Sequence, residues 1–585
     1  MAGVRAEAQA TSLTGVVKDS RGTPQMGAVV QLLRPDFSVA LETYTDDHGR
    51  YRIATILPGV YEVKASADLF LPTLRENLRV LGGSKLVVNL TLDTLYEAFR
   101  WLPAKTRPAD EPKDDLVTTH HVITINGAEL RYTVTAGRVV IRQEGHTDDK
   151  FDGAEAKAEV FMVAYTLDDA DARTRPVTFA FNGGPGSSSV WLHLGLLGPR
   201  RVLMGDAGHL LPPPYGLADN HETLLTHSDL VFIDPVSTGY SRAVKGGKSK
   251  EFHGYGGDVE SVGEVIRLWT TRYGRWMSPK YICGESYGTL RAAALARHLQ
   301  ERCALYLNGL ILISAVLDVG TLEFYGGNDD PYVMYLPTYA AIAHYHGRHG
   351  DRPLRDVLDE AEDYAERDYP WALARGARLT ADERAAAVTR LAALTGLSAD
   401  YIDRVNLRPE HIRFLTELLR DERRTVGRID GRFTGWDSDY GREQWTTDPS
   451  IDAIMGPYTA ALNHYVRAEL GYANDLSYET LTSRVQPWSY QEFEGQHVHV
   501  ADKLAEAMRV NPHMRVYVAC GYHDAATPYF AAEHTMAQLA VPAELARNIE
   551  FGYFEAGHMM YMHEPSRLAQ AAQLAAFVRG GEEAR

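Results

Sequence analysis

Short apolar and β-branched runs, broken by turn residues, open the chain. Val16-Val17, Val29 to Leu33, Tyr51 to Ile53, Val60 to Val63 and Leu86 to Leu92 predict strands. Between them lie Asp19-Ser20-Arg21-Gly22, Asp46-Asp47-His48-Gly49 and Leu57-Pro58-Gly59, combinations that favour tight turns. Strands spaced this closely over residues 12–95 predict a small β-sandwich. From Trp101 to Asp115 three prolines (Pro103, Pro108 and Pro112) mix with charges, which predicts a linker over 96–116.

The pattern then changes. Val122 to Gly127 followed by Leu130 to Val134 predicts a hairpin. Strands are expected at Val177 to Phe181, Leu230 to Ile233, Tyr281 to Cys283 and Leu310 to Val316. Helical spacing at Val262, Val265, Ile266 and Leu268-Trp269 predicts a helix over Val259 to Tyr273 with Asp258 as its N-cap, and a second helix covers Leu290 to Cys303. Such alternation predicts an α/β fold with a mostly parallel sheet over 117–580. It is interrupted at about 322–500, where helical spacing at Val357, Ala361 and Tyr364, at Ala385 to Leu391 and at Ile412 to Leu419 predicts a helical insertion capping a site. Strands return at Val516 to Ala519 and Ile549 to Phe551, and a closing helix is expected over Pro565 to Val578.

Composition narrows the function. A chain of 585 residues exceeds one hydrophobic core, so at least two domains are expected. Its formal charge of −17 disfavours nucleic acid and anionic lipid as partners. No apolar run reaches the roughly 18–20 residues of an integral membrane segment. Met1 to Thr11 lacks the apolar stretch of a signal peptide. Cys283, Cys303 and Cys520 cannot make a disulfide framework, and none is spaced as a zinc ligand. His344-Tyr345-His346 with His349 has no carboxylate at ligand spacing, so no metal and no other cofactor is expected. His120-His121 and the stretch Gly254 to Gly257 read as solvated turns.

The chemistry centres on Gly284-Glu285-Ser286-Tyr287-Gly288. This is a G-x-S-x-G motif between a predicted strand and a predicted helix, the setting that exposes a serine nucleophile on a strained turn. A serine hydroxyl needs a base, and the base needs an orienting carboxylate. Asp524 and His558 follow Ser286 in the required order, each after a predicted strand. His523 and His563 are the rival bases; the first directly precedes the candidate acid and the second is expected in the first turn of the closing helix. Asn182-Gly183-Gly184-Pro185-Gly186 follows a strand and can aim backbone N–H groups at an oxyanion, adding to that of Tyr287. A phosphate loop is the competing reading, but no Gly-Lys-Ser or Gly-Lys-Thr follows.

Two resemblances follow from these residues. Gly15-x-Val17-x-Asp19-x-x-Gly22-x-Pro24, Thr45-x-x-x-Gly49-x-Tyr51 and Leu57-x-Gly59-x-Tyr61 resemble the carboxypeptidase regulatory-like domain. That resemblance implies a transthyretin-like sandwich without chemistry of its own and, since such sandwiches accompany exported proteins, an extracytoplasmic location. Asn182 to Gly186, Ile233-Asp234-Pro235-Val236-x-Thr238-Gly239-Tyr240-Ser241, Gly284 to Gly288 and Gly557-His558-Met559 resemble the serine carboxypeptidase family. This second resemblance implies an α/β-hydrolase fold, a Ser286–Asp524–His558 triad, an oxyanion hole from Gly184 and Tyr287, and a peptide substrate whose terminal carboxylate meets Asn182, Gly183 and Glu285. The chain departs from the family at Leu196, where a second glutamate is usual, at Ser187, where a disulfide cysteine is common, and at Tyr561, where a proline is usual. The missing carboxyl keeps an esterase or acyltransferase open as the alternative; a binding protein without activity is the third. Oligomeric state and the residue preference at the scissile bond are not encoded in any of these motifs.

Overall fold

The computed structural model describes residues 11–68, 70–93, 111–147 and 149–583. Contacts divide the chain into two compact units, with the boundary between Glu111 and Pro112. Most of the expected linker, 96–110, lies outside the described residues. Its last residues correct the expectation: Asp115 and Leu116 already belong to a strand of the second unit.

The first unit is a sandwich of two four-stranded sheets. Arg50–Ala54, Ser12–Asp19 and Lys85–Val87 form one, with Leu90–Leu92 also paired to Ser12–Asp19. Val39–Tyr44, Val29–Leu33, Gly59–Ser66 and Thr73–Val80 form the other. Leu13, Val17, Val30, Leu32, Ile53 and Val63 meet between the sheets while alternate residues face outward, as the two-residue period of a strand requires. The run Leu86 to Leu92 is two strands rather than one. At the break, the Val88 carbonyl accepts the Tyr51 hydroxyl (2.7 Å) and the Asn89 side chain accepts the Val16 N–H (3.1 Å). Val39–Tyr44 and Thr73–Val80 escaped the sequence pattern because they are edge strands, mostly exposed, with little apolar signal.

The second unit is built on a ten-stranded sheet. Its nine longer strands are β1 (Asp115–Ile125), β2 (Ala128–Thr147), β3 (Lys150–Leu167), β4 (Val177–Phe181), β5 (Asp229–Ile233), β6 (Lys280–Glu285), β7 (Gly309–Ile313), β8 (Arg515–Gly521) and β9 (Ile549–Phe554). They lie in the order β9-β8-β7-β6-β4-β5-β3-β2-β1, and Arg242–Ala243 adds to β3. From β5 through β4 to β9 every pairing is parallel; β1, β2 and β3 form an antiparallel edge. The β1–β2 turn is Asn126-Gly127, both with positive φ, the geometry a two-residue hairpin prefers. β4, β5 and β7 are buried along their whole length, which explains their largely apolar sequences, Thr178 and Asp229 being the polar exceptions.

Helices cover both faces. α1 (Tyr255–Arg272) and α2 (Tyr287–Cys303) pack Val262, Ile266, Leu290 and Leu295 against Phe179 and Ile282. On the other face the closing helix (Glu564–Glu583) brings Leu574 and Phe577 against Tyr281 and Tyr517. This is an α/β-hydrolase fold. No helix among the described residues is long and apolar enough to cross a membrane.

Three local expectations are corrected. α1 begins at Tyr255, three residues before Asp258, with Gly254 at its N-cap. The stretch Gly254 to Gly257 is therefore the start of a helix rather than a solvated turn, and the Gly254 backbone is buried. Asp258 caps nothing; it is buried and paired with Arg291. His120 and His121 lie within β1, where His121 stacks on Tyr132.

The insertion leaves the sheet after β7 and returns before β8. It contains α3 (Asp330–Tyr345), helices at Leu354–Glu366 and Ala381–Thr395, and α4 (Pro449–His464). It is not helical throughout: a short hairpin pairs Thr425–Val426 with Thr434–Gly435, and much of the stretch from Gly471 to Val500 is turn and loop. His344, His346 and His349 each bond a backbone carbonyl, those of Arg352, Gly431 and Leu394, and so fasten the end of α3 to its neighbours.

Candidate active site

Three loops at the carboxyl ends of β6, β8 and β9 carry the candidate nucleophile, acid and base. Ser286 occupies the turn between β6 and α2 with φ 60° and ψ −132°, a conformation that strains any residue with a side chain. The turn is held by Ser286 N–H donating to the Ile313 carbonyl (3.0 Å) and by the Thr289 hydroxyl donating to the Ser286 carbonyl (2.7 Å). A Cβ at Gly288 would press on the Phe181 carbonyl oxygen at 3.0 Å, tighter than ordinary contact. A Cβ on Gly183 would come within 2.5 Å of the Tyr287 nitrogen, so only glycine lets the Asn182–Gly186 loop lie against the turn.

Asp524 and His558 are in contact. His558 Nδ1 and Asp524 Oδ2 are 2.7 Å apart, and the Asp524 side chain is fully buried. The Thr527 hydroxyl donates to the same oxygen (2.8 Å), while the backbone N–H groups of Ala526 (2.8 Å) and Thr527 (3.0 Å) donate to Oδ1. Donors on both oxygens suit an ionised carboxylate, which only accepts and can therefore fix the ring. Burial by itself lowers the His558 pKa; the charge and hydrogen bond of Asp524 outweigh it, so the imidazole stands above its usual value. The His558 backbone is held as well: its N–H donates to the Ile429 carbonyl (2.6 Å), and its carbonyl accepts the Ser314 hydroxyl (2.7 Å).

Ser286 and His558 line one cavity of about 340 Å³. No hydrogen bond joins the Ser286 hydroxyl to the imidazole. Catalytic hydrogen bonds in ligand-free enzymes are often long and tighten when substrate binds. The rival histidines are elsewhere: neither His523 nor His563 lines this cavity. His523 is buried beside Tyr345, and burial pushes its pKa down to about 3. His563 stands just before the closing helix and bonds Ser566.

Asn182, Gly183, Gly184, Glu285 and Tyr287 all line the same cavity. Tyr287 is the first residue of α2, where a backbone N–H has no acceptor within the helix and sits at the positive end of the dipole. Glu285 is buried, with Asn182 Nδ2 donating to one carboxyl oxygen (2.7 Å) and the Tyr561 hydroxyl to the other (2.7 Å). Burial pushes Glu285 up to about 7, against the lowering effects of His558, Tyr561 and Asn182.

The three departures from the family pattern, and several residues that no motif flagged, surround this arrangement. Tyr561 is a partner of Glu285, and Gly195 makes room for it, since a Cβ there would clash with the Tyr561 ring. Leu196, where the family has a second glutamate, is buried in the apolar core. Ser187 accepts the Trp191 indole N–H (2.7 Å). Arg291, almost completely buried, bonds Asp258 (2.7 Å) and the Asn182 carbonyl (2.7 Å) and stacks over Phe181 and Tyr287, tying the glycine loop to α1 and α2. The insertion contributes Arg428, Ile429, Ile451, Ile454, Leu481 and Tyr490 to the cavity wall.

Comparison with known proteins bears out both resemblances. Residues 12–93 match the model of the carboxypeptidase regulatory-like domain, and residues 150–346 match that of serine carboxypeptidase. The second match spans Asn182 to Gly184 and Glu285 to Tyr287 and ends before Asp524 and His558. Among solved structures, the chain is similar to a thermostable carboxyl esterase from Bacillus coagulans (12% identity, 76% of this chain and 99% of that one, TM-score 0.31). It is also similar to the peroxisomal α/β-hydrolase Lpx1 from Saccharomyces cerevisiae (11% identity, 80% of this chain and 90% of that one, TM-score 0.29). A haloalkane dehalogenase variant from Bradyrhizobium elkanii aligns likewise (14% identity, 80% of this chain and 99% of that one, TM-score 0.27). At such TM-scores the likenesses add nothing about substrate, and the fold rests on the strand order described above.

Proposed function

We propose that this protein is a serine carboxypeptidase, releasing the C-terminal residue of a peptide through an acyl-enzyme. The observation that carries the reading is the meeting, in one cavity, of a strained serine turn, a buried Asp524–His558 pair and a buried carboxyl, Glu285, beside Asn182. The Ser286 hydroxyl attacks the scissile carbonyl while His558 Nε2 takes its proton and Asp524 holds Nδ1–H. Backbone N–H groups of Gly184 and Tyr287 bind the developing oxyanion. The imidazolium then protonates the leaving amine, and a water, deprotonated by the same ring, releases the acyl group.

Glu285 serves the leaving residue. An ionised carboxylate repels the substrate's terminal carboxylate, whereas a protonated one donates a hydrogen bond to it. Because burial raises Glu285 to about 7, the receptive form is present below neutrality. Asn182 and the Gly183 backbone complete the recognition of that carboxylate.

Leu196 favours a second reading, an esterase or acyltransferase with the same triad, because one carboxyl of the recognition pair is missing. Hydrolysis of a blocked dipeptide as its free acid and as its amide separates the two. A carboxypeptidase prefers the free acid by about tenfold or more, the worth of one charge-assisted hydrogen bond. Equal rates on the two leave the esterase reading standing.

A further inference from the structure

The cavity wall contains one feature that neither the triad nor the Asn182–Glu285 group uses. Among the residues lining the cavity, Arg428 is the sole arginine or lysine. It sits in the insertion, two residues after the short strand Thr425–Val426. Its side chain is 38% exposed, and its closest ion-pair contact is long, 4.0 Å from Nε to Asp448 Oδ2. Among the described residues its guanidinium makes no hydrogen bond. Four buried arginines of this unit look different: Arg275, Arg291, Arg432 and Arg567 each bond a carboxylate or amide oxygen at 2.5–3.1 Å.

The backbone around Arg428 is fixed to the triad. Its carbonyl accepts the N–H of Ala525, next to Asp524 (3.0 Å), and the carbonyl of Ile429 accepts the N–H of His558 (2.6 Å). Its own N–H donates to Asp448 (3.1 Å), and that of Ile429 to Ser450 (3.2 Å). An insertion residue is thereby held beside the base and the acid. His558 protonates the leaving amine, so the leaving residue lies on the imidazole's side of the cavity. Ile429, Ile451, Ile454 and Leu481 line the same cavity. In such apolar surroundings a planar cation with free N–H groups binds a carboxylate strongly and in a fixed orientation.

We propose that Arg428 is a specificity-determining residue that binds a carboxylate of the leaving residue, either its terminal carboxylate or the side chain of a C-terminal glutamate or aspartate. This rests on the peptidase reading of the site. It assigns to the insertion the positive charge that the sheet loops lack, in a chain that has lost the second glutamate of its family.

Binding can be tested without turnover. Calorimetry in a Ser286→Ala background, with and without Arg428→Met, would use four blocked dipeptides ending in leucine or glutamate, each as free acid and as amide. If Arg428 reads the terminal carboxylate, Arg428→Met cuts the free-acid-over-amide preference about 10- to 100-fold for both residues. If it reads the side chain, the variant cuts the glutamate-over-leucine preference by a similar factor in acid and amide alike. Arg428→Lys, which keeps the charge and loses the planar fork, restores part of either loss. Unchanged ratios in Arg428→Met, or no measurable binding of any of the four, overturns the proposal. The peptidase reading fails separately, on hydrolysis by the wild-type protein.

Discussion

The two walls of the cavity are built on opposite plans. On the sheet side polar groups are densely paired: Asp524 accepts four hydrogen bonds, and Glu285 accepts from Asn182 and Tyr561. On the insertion side the wall is isoleucine, leucine and tyrosine with a single loosely held guanidinium. Preorganised, fully satisfied groups suit chemistry that must be the same for every substrate. An apolar wall with an unspent charge suits selection among substrates. The division assigns bond-breaking to the strand ends and choice of peptide to the insertion.

That division can be broken at several points. The largest effect is expected from Asp524→Asn, which leaves the packing but misaligns the imidazole tautomer; kcat should fall about 10,000-fold on every substrate. A loss confined to some substrates would mean that the acid serves recognition rather than chemistry.

The pH profile tests Glu285. His558 must be neutral to act as base, so activity rises as pH climbs through its raised pKa. Glu285 must be protonated to receive a carboxylate, so the preference for free-acid substrates falls as pH rises through about 7. The two groups interact, and the limbs of the resulting bell belong to the pair. Glu285→Gln cannot ionise: its free-acid-over-amide ratio should be flat with pH, whereas the wild-type ratio drops about tenfold per unit above its midpoint. A wild-type ratio that keeps rising past neutrality contradicts this role.

The smallest effect is expected from Tyr561→Phe. The Tyr561 hydroxyl donates to Glu285 and lowers its pKa. Removing it should move the alkaline limb to higher pH, a change of a few-fold in rate at about pH 8, by the tenfold-per-unit scale of such shifts. A limb that stays in place means the phenol only fills space.

The same contrast decides what was legible in the sequence. Ser286, Asp524 and His558 stood out because each follows a short apolar strand, and a strand end followed by glycine or aspartate is a local signal. The inner parallel strands were visible for the same reason, being buried on both faces. β3 was not, because its first half is largely exposed and its Ala-Glu-Ala-Lys-Ala-Glu stretch alternates charge with alanine, both poor strand formers. Asp258 was misplaced because its carboxylate belongs to Arg291, thirty-three residues on, and no local rule encodes that pairing. Thr527 and Arg428 were invisible in the same way, and Tyr561 stood out only as a departure from the family pattern, with nothing to tie its hydroxyl to Glu285. Their roles depend on which loops the fold brings together, and Arg428 gains its place from backbone hydrogen bonds to two distant segments.

The central claim, that Ser286 is a nucleophile activated by His558, is tested most directly by covalent labelling with a fluorophosphonate followed by peptide mass spectrometry. The wild-type protein should carry a single adduct on Ser286, and His558→Gln should label about 100-fold more slowly or worse, the usual worth of a general base. An adduct on another residue, or equal labelling rates in the two proteins, would contradict the account.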